Sequence, residues 1–92
     1  MKLVASNKFK KSYKKFTKKN FQLKQKVDIT LKLLSVNPFS NKLQTHKLSG
    51  KLENFLSCSC GFDCRIIFII IKNPESEDEI LLLDIGTHKE VY

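Results

Sequence analysis

An α+β fold is predicted: an N-terminal helical hairpin packed on a small, mainly antiparallel sheet of four to five strands, ordered β-α-α-β-β-β. Three observations predict it. Apolar residues recur at helical spacing through residues 8–35. From residue 43 that spacing gives way to alternation and a β-branched run. Short breaks at Asn37-Pro38, Gly50, Gly61 and Asn73-Pro74 divide the chain, with no repeat and no linker. At 92 residues the chain is read as one domain, 1–92, with a real but thin core.

Leu3-Val4-Ala5 is a short strand candidate. Ser6 or Asn7 can cap the helix that follows by accepting a bond from an early unpaired N–H. In that helix, 8–20, Phe9, Tyr13 and Phe16 fall on one face and Lys10, Lys11, Lys14, Lys15 and Lys18 fan across the other. The aromatics read as core contacts. Asn20 breaks or caps, and a second helix runs from Phe21 to Ser35, with Leu23, Val27, Thr30 and Leu34 on one stripe. Asn37-Pro38 ends it, because the residue before proline disfavours helical backbone. Leu52 to Cys60 reads as a strand, Gly61 as a turn or bulge, and Cys64 to Ile71 as a central strand covered on both sides. Lys72 to Asp78 is a hairpin loop, and Ile80 to Ile85 the last strand.

The net charge of +8 is unevenly placed. Residues 1–32 carry eleven lysines and one acid, Asp28, for +10; residues 33–92 carry five lysines, one arginine and eight acids, for −2. A single-sign field of this kind favours polyanions. The plainer alternative is a solubilising lysine surface. The longest apolar run, Ile66 to Ile71, is six residues, far short of the roughly 20 a spanning helix needs. The N-terminus has no apolar stretch suited to a signal peptide, so a cytoplasmic protein without membrane partners is expected. Its three cysteines, Cys58, Cys60 and Cys64, are then expected as reduced thiols. Their spacing does not match zinc-binding pairs, and neither a metal nor another cofactor is expected.

Chemistry-bearing residues concentrate late in the chain. Gly86-Thr87-His88-Lys89-Glu90-Val91-Tyr92 places an imidazole and a phenol four residues apart after an apolar strand, where a core has no use for them. His46 is the chain's other histidine. Arg65 is its sole arginine among sixteen lysines, and a guanidinium grips phosphate oxygens in forked fashion. Asp63, two residues before it, would project from the same strand face, either as a simple surface ion pair or as part of a site. Two histidines, a carboxylate, an arginine and a tyrosine suit metal-free RNA cleavage. A base takes the ribose 2′-OH proton, a cation stabilises the phosphorane, and an acid protonates the leaving oxygen.

Three segments carry a family resemblance over essentially the whole chain: His46-Lys47-Leu48-Ser49-Gly50, Asp63-Cys64-Arg65-Ile66-Ile67-Phe68, and Gly86 to Tyr92. In order and spacing they resemble the RelE/ParE superfamily of bacterial type II toxins, and within it the YafQ-like ribosome-dependent mRNA interferases. The resemblance implies a RelE-like fold and an endoribonuclease that cleaves translated mRNA in the bacterial cytoplasm. It implies a catalytic acid or base at His88, with His46 and Asp63 activating the 2′-OH. Arg65 would stabilise the phosphate and Tyr92 position a base. Lys10, Lys11, Lys14, Lys15 and Lys18, with Lys47 and Lys51, would bind RNA. Implied partners are the ribosome, mRNA and a cognate antitoxin in a hetero-oligomer. The chain departs from the pattern at Lys47, where the family has proline, at Ser59, where it has a further histidine, and at Cys64, where it has tryptophan. The base assignment therefore stays open between His46 and Asp63. The alternative reading is a non-enzymatic protein on the same fold, either a ParE-like gyrase inhibitor or an inactive antitoxin-binding homologue. A ParE-like chain would not need the terminal histidine and aromatic.

Overall fold

The computed structural model describes residues 1–50 and 54–92. The expected strand start at Leu52 and the candidate Lys51 lie outside the described residues. Strand β1 (Lys2–Ala5) leads into helices α1 (Asn7–Thr17) and α2 (Phe21–Val36). A 3-10 turn, Asn41–Leu43, precedes β2 (His46–Lys47), β3 (Leu56–Ser59), β4 (Arg65–Ile71) and β5 (Glu79–Gly86). A final helical turn, α3, spans His88–Val91. The sheet order is β1-β5-β4-β3-β2, with β1 parallel to β5 and the other pairs antiparallel. This is the α+β architecture expected, with β2 as its fifth strand.

The helices start where their caps dictate. The Ser6 hydroxyl accepts from the Phe9 N–H at 3.0 Å, and the Asn20 side-chain oxygen accepts from the Leu23 N–H at 3.0 Å. Tyr13 on α1 donates its hydroxyl to Asp28 on α2 at 2.6 Å, and Lys24 reaches the other Asp28 oxygen at 2.9 Å. The Tyr13 hydroxyl, helped by the Lys24 charge, holds the Asp28 carboxyl below its ordinary range.

Alternation along the strands sorts the sheet into two faces. Leu56, Cys58, Ile66, Phe68, Ile80, Leu82 and Ile85 are buried together with Phe9, Val27 and Leu34 of the helices. Burying a side chain the size of Phe68 contributes about 1.5–3 kcal/mol. Directly opposed residues of antiparallel strands share a face. The pairs His46 with Ser57, and Ser59 with Arg65, therefore lie on the face away from the helices. Arg65 is also in register with Gly86, which brings the end of β5 to the same corner.

Two sequence expectations are corrected here. Cys60 and Cys64 are not separate thiols but are joined as a disulfide, with Cα atoms 5.1 Å apart. Cys60 follows β3 and Cys64 precedes β4 across a tight loop, and the Cys60 N–H donates to the Cys64 carbonyl at 3.0 Å. That separation lies within disulfide reach. Cys58 is the one free cysteine among the described residues, and burial pushes its thiol up to about 12. The second correction concerns Asp63. It precedes β4 in a left-handed conformation (φ 51°), so it does not share a strand face with Arg65, and no Asp63–Arg65 ion pair forms among the described residues.

Candidate functional site

The last seven residues fold back onto the sheet. Gly86 permits this. A Cβ there would come within 3.0 Å of Glu90 Oε1 and 3.3 Å of Val91 Cγ1, so a larger residue would push the terminal turn away. Four residues are too few for a helix to stand alone. Here the turn is held because several of its N–H groups are matched by side chains. Thr87 and Glu90 form a reciprocal capping box: the Thr87 N–H donates to Glu90 Oε1 at 2.9 Å, and the Glu90 N–H donates to Thr87 Oγ1 at 3.3 Å. A further early donor, the His88 N–H, gives to Asp63 Oδ1 at 3.0 Å. Asp63 thus reaches the site through the His88 backbone.

The two rings of the terminus meet edge to face, with His88 and Tyr92 centroids 4.4 Å apart at 84°. The Tyr92 hydroxyl hydrogen-bonds Ser57 Oγ on β3. Ser57 is fully buried, though its strand neighbours Leu56 and Cys58 face the helices. Its cover is the terminal turn itself. Sequence reasoning missed Ser57. The available signal was a polar residue alternating with core residues, one position from Cys58.

His46 lies opposite Ser57 in the strand register and is exposed. Its Nδ1 sits 3.1 Å from the Gln44 carbonyl. A carbonyl only accepts, so Nδ1 is the donor, and in the neutral form of the ring Nε2 holds the lone pair. Arg65 is half-buried. Its Nη1 donates to the carbonyls of Cys64 (2.9 Å) and Gly61 (3.4 Å) and approaches Ser59 Oγ at 3.5 Å. The guanidinium is thereby fixed along the β3–β4 loop. The position where the resemblance expects a further histidine, Ser59, instead bonds the Gly61 carbonyl at 3.2 Å.

The structure therefore brings Asp63, His88, Tyr92 and Ser57 into one bonded series, with His46 and Arg65 on the same sheet face. It does not bring the lysines of α1 into that series. Lys11, Lys14, Lys15 and Lys18 line a groove of their own on α1. Lys15 also lines a cleft of about 480 Å³ with Asp84 and Glu90, the latter on α3. The basic face thus runs up to the terminal turn. Lys47 is exposed beside His46. The candidate site itself is an open shelf, since His46, Asp63 and His88 are all exposed. Among the described residues, no three His, Cys, Asp or Glu side chains converge to hold an ion. No helix among them is long and apolar enough to cross a membrane.

Comparison with known proteins bears on this arrangement. A family model described as the bacterial toxin of type II toxin–antitoxin systems, YafQ, matches residues 1–92. Among solved structures, the YoeB/ParE toxin from Agrobacterium tumefaciens superposes with a TM-score of 0.80 at 17% identity, covering 96% of this chain and 99% of that one. YafQ from E. coli strain BL21(DE3) superposes with a TM-score of 0.78 at 17% identity, covering 98% and 96%. At such identity the likeness is one of fold. A metal-bound toxin from Helicobacter pylori is 28% identical, with a TM-score of 0.72 and coverage of 100% and 99%. No functionally curated protein matches the sequence.

Proposed function

The chain belongs to the YafQ family of bacterial type II toxin–antitoxin toxins, and from that premise we propose that it is a ribosome-dependent endoribonuclease that cleaves mRNA. The observation that carries this reading is the docking of the terminal turn. His88 is held by Asp63 through its backbone and packed edge-on against Tyr92, which is tethered to the buried Ser57. A chain that only bound a partner would have no use for an exposed imidazole fixed in this way.

In the proposed reaction, His46 Nε2 takes the proton of a ribose 2′-OH. The 2′-oxygen attacks the adjacent phosphorus, and Arg65 stabilises the charge on the pentacovalent phosphorane. The bond from phosphorus to the 5′-oxygen breaks, and His88 gives that oxygen its proton. The products are a 2′,3′-cyclic phosphate and a 5′-hydroxyl. His46 is favoured over Asp63 as the base because one Asp63 oxygen is already occupied by the His88 N–H. Asp63 then acts as a positioning residue, and Tyr92 places a base against the His88 ring. Lys10, Lys11, Lys14, Lys15, Lys18 and Lys47 supply a track for RNA phosphates, a contact that weakens as salt rises.

A type II family implies an antitoxin partner. The +10 charge of residues 1–32 suits an acidic, partly disordered segment of it. The site would act in the bacterial cytoplasm, on translating ribosomes. A reconstituted translation reaction tests the reading. The wild-type chain should leave mRNA fragments with 5′-hydroxyl ends, and the His88→Ala chain and a chain lacking Tyr92 should not. Equal cleavage by all three would refute the site assignment. Intact mRNA with inhibited gyrase would favour the non-enzymatic alternative.

A further inference from the structure

Phe62 is fully exposed, at 101% of its reference area, on the loop that holds Asp63. Single exposed apolar residues are common and need no explanation. This one differs in how it is held. Gly61 (φ 123°) and Asp63 (φ 51°) bracket it with left-handed backbone on both sides, which thrusts its ring outward at the apex. The Cys60–Cys64 disulfide closes the base of the loop. Arg65 grips the Gly61 and Cys64 carbonyls, and Asp63 is bonded to the His88 N–H. The ring is thus presented on a clasped loop, one residue from the group that anchors the candidate acid. The other strongly exposed phenylalanines, Phe21 (70%) and Phe39 (60%), are less open and lie at the start of α2 and beyond its end.

We infer that Phe62 is a stacking platform for a nucleobase of the single-stranded mRNA beside the cleaved phosphate, paired across His88 with the Tyr92 ring. An aromatic face on the loop that Arg65 grips and that bonds the His88 backbone suits a splayed base, since every base has a π-face and a phosphate at fixed reach. This rests on the endoribonuclease reading above. The contact sets binding and the choice of cut site more than the chemical step.

The test compares Phe62→Ala, Phe62→Leu and Phe62→Trp in the reconstituted translation assay. A fully exposed side chain has no packing to lose, so all three should melt with the wild type. Phe62→Ala should raise KM for the programmed ribosome by about 5- to 150-fold, the range for one lost base stack, and shift the bases flanking the cuts. Phe62→Trp should restore both, and Phe62→Leu should not. In parallel, His88→Ala protein with Phe62 intact should quench 2-aminopurine placed in the codon presented by a programmed ribosome; the His88→Ala, Phe62→Ala double variant should not. Rescue by leucine as good as by tryptophan would point to an apolar protein contact and overturn the inference. Unchanged cleavage by Phe62→Ala would also overturn it while leaving the endoribonuclease reading intact. If the wild type fails to cleave, Phe62-dependent quenching would sustain the stacking site and sink only the enzymatic reading; no quenching would sink both.

Discussion

On the helix side of the sheet, Leu56, Cys58, Ile66, Phe68 and Ile85 form one apolar cluster; on the other side, the residues between them on β3 and β4 are Ser57, Ser59, Arg65 and Ile67. The same strands make both faces, one residue out of phase. One face is closed by the helical hairpin. The other is closed only where the terminal turn lies on it, and there the cover brings an imidazole and a phenol. The difference teaches that stability and chemistry are separable in this chain, residue by residue along a strand. Substitutions can therefore break the comparison or sharpen it.

The largest expected effect is on the helix side. Phe68→Ala should cost about 3–5 kcal/mol, much of the stability of a domain this small, and a urea titration reads the loss directly. On the other face, His88→Ala should leave the urea midpoint unmoved but lower the cleavage rate by about 10²- to 10⁴-fold. Should His88→Ala unfold the chain, or Phe68→Ala leave it as stable as the wild type, the two faces would not be separable.

Tyr92→Phe probes the seam between the faces. It strands the buried Ser57 hydroxyl, at a cost of about 1–3 kcal/mol, while keeping the ring against His88. Tyr92→Phe with Ser57→Ala together should recover most of that stability. A double variant no more stable than the single one would show that the hydroxyl pair does not hold the turn.

Alkali offers a milder test of the core face. Burial raises the Cys58 thiol from 9.0 to about 12, opposed weakly by the Arg65 charge. The unfolded chain then ionises before the folded one, so the stability this gives is complete below pH 9 and lost as pH rises from 9 toward 12. By pH 10 the loss should be about 1.4 kcal/mol, and Cys58→Ala should abolish that part of the pH dependence. The smallest effect expected is at the Lys8–Asp84 pair, 3.5 Å apart with the lysine largely exposed. Lys8→Ala should change stability by about 0–1 kcal/mol, less in high salt.

Much of this separation was legible in the sequence. The 3.6-residue spacing of Phe9, Tyr13 and Phe16 and the alternation of Leu56, Cys58 and Cys60 name the helix-side core, because burial of a periodic face is a local signal. The terminal segment declared itself by residue types that no core would choose. What escaped was non-local. Two-residue β2 is too short to show a period, and only its register with β3 makes it a strand. Asp63 appeared to share a strand face with Arg65, but its left-handed backbone takes it out of the alternation and toward the His88 amide. Ser57 went unnoticed because its burial comes from a turn 35 residues away. The disulfide depends on how tightly the β3–β4 loop closes, which cysteine spacing alone does not reveal.

The central claim is that the turn docked on the far face of the sheet is an endoribonuclease site. Mapping mRNA 5′ ends across the transcriptome after expression of the chain tests it most directly. The account predicts new 5′-hydroxyl ends within translated reading frames for the wild type, and their disappearance for His88→Ala made at equal level. No new ends with the wild type, or the same ends with His88→Ala, would contradict it.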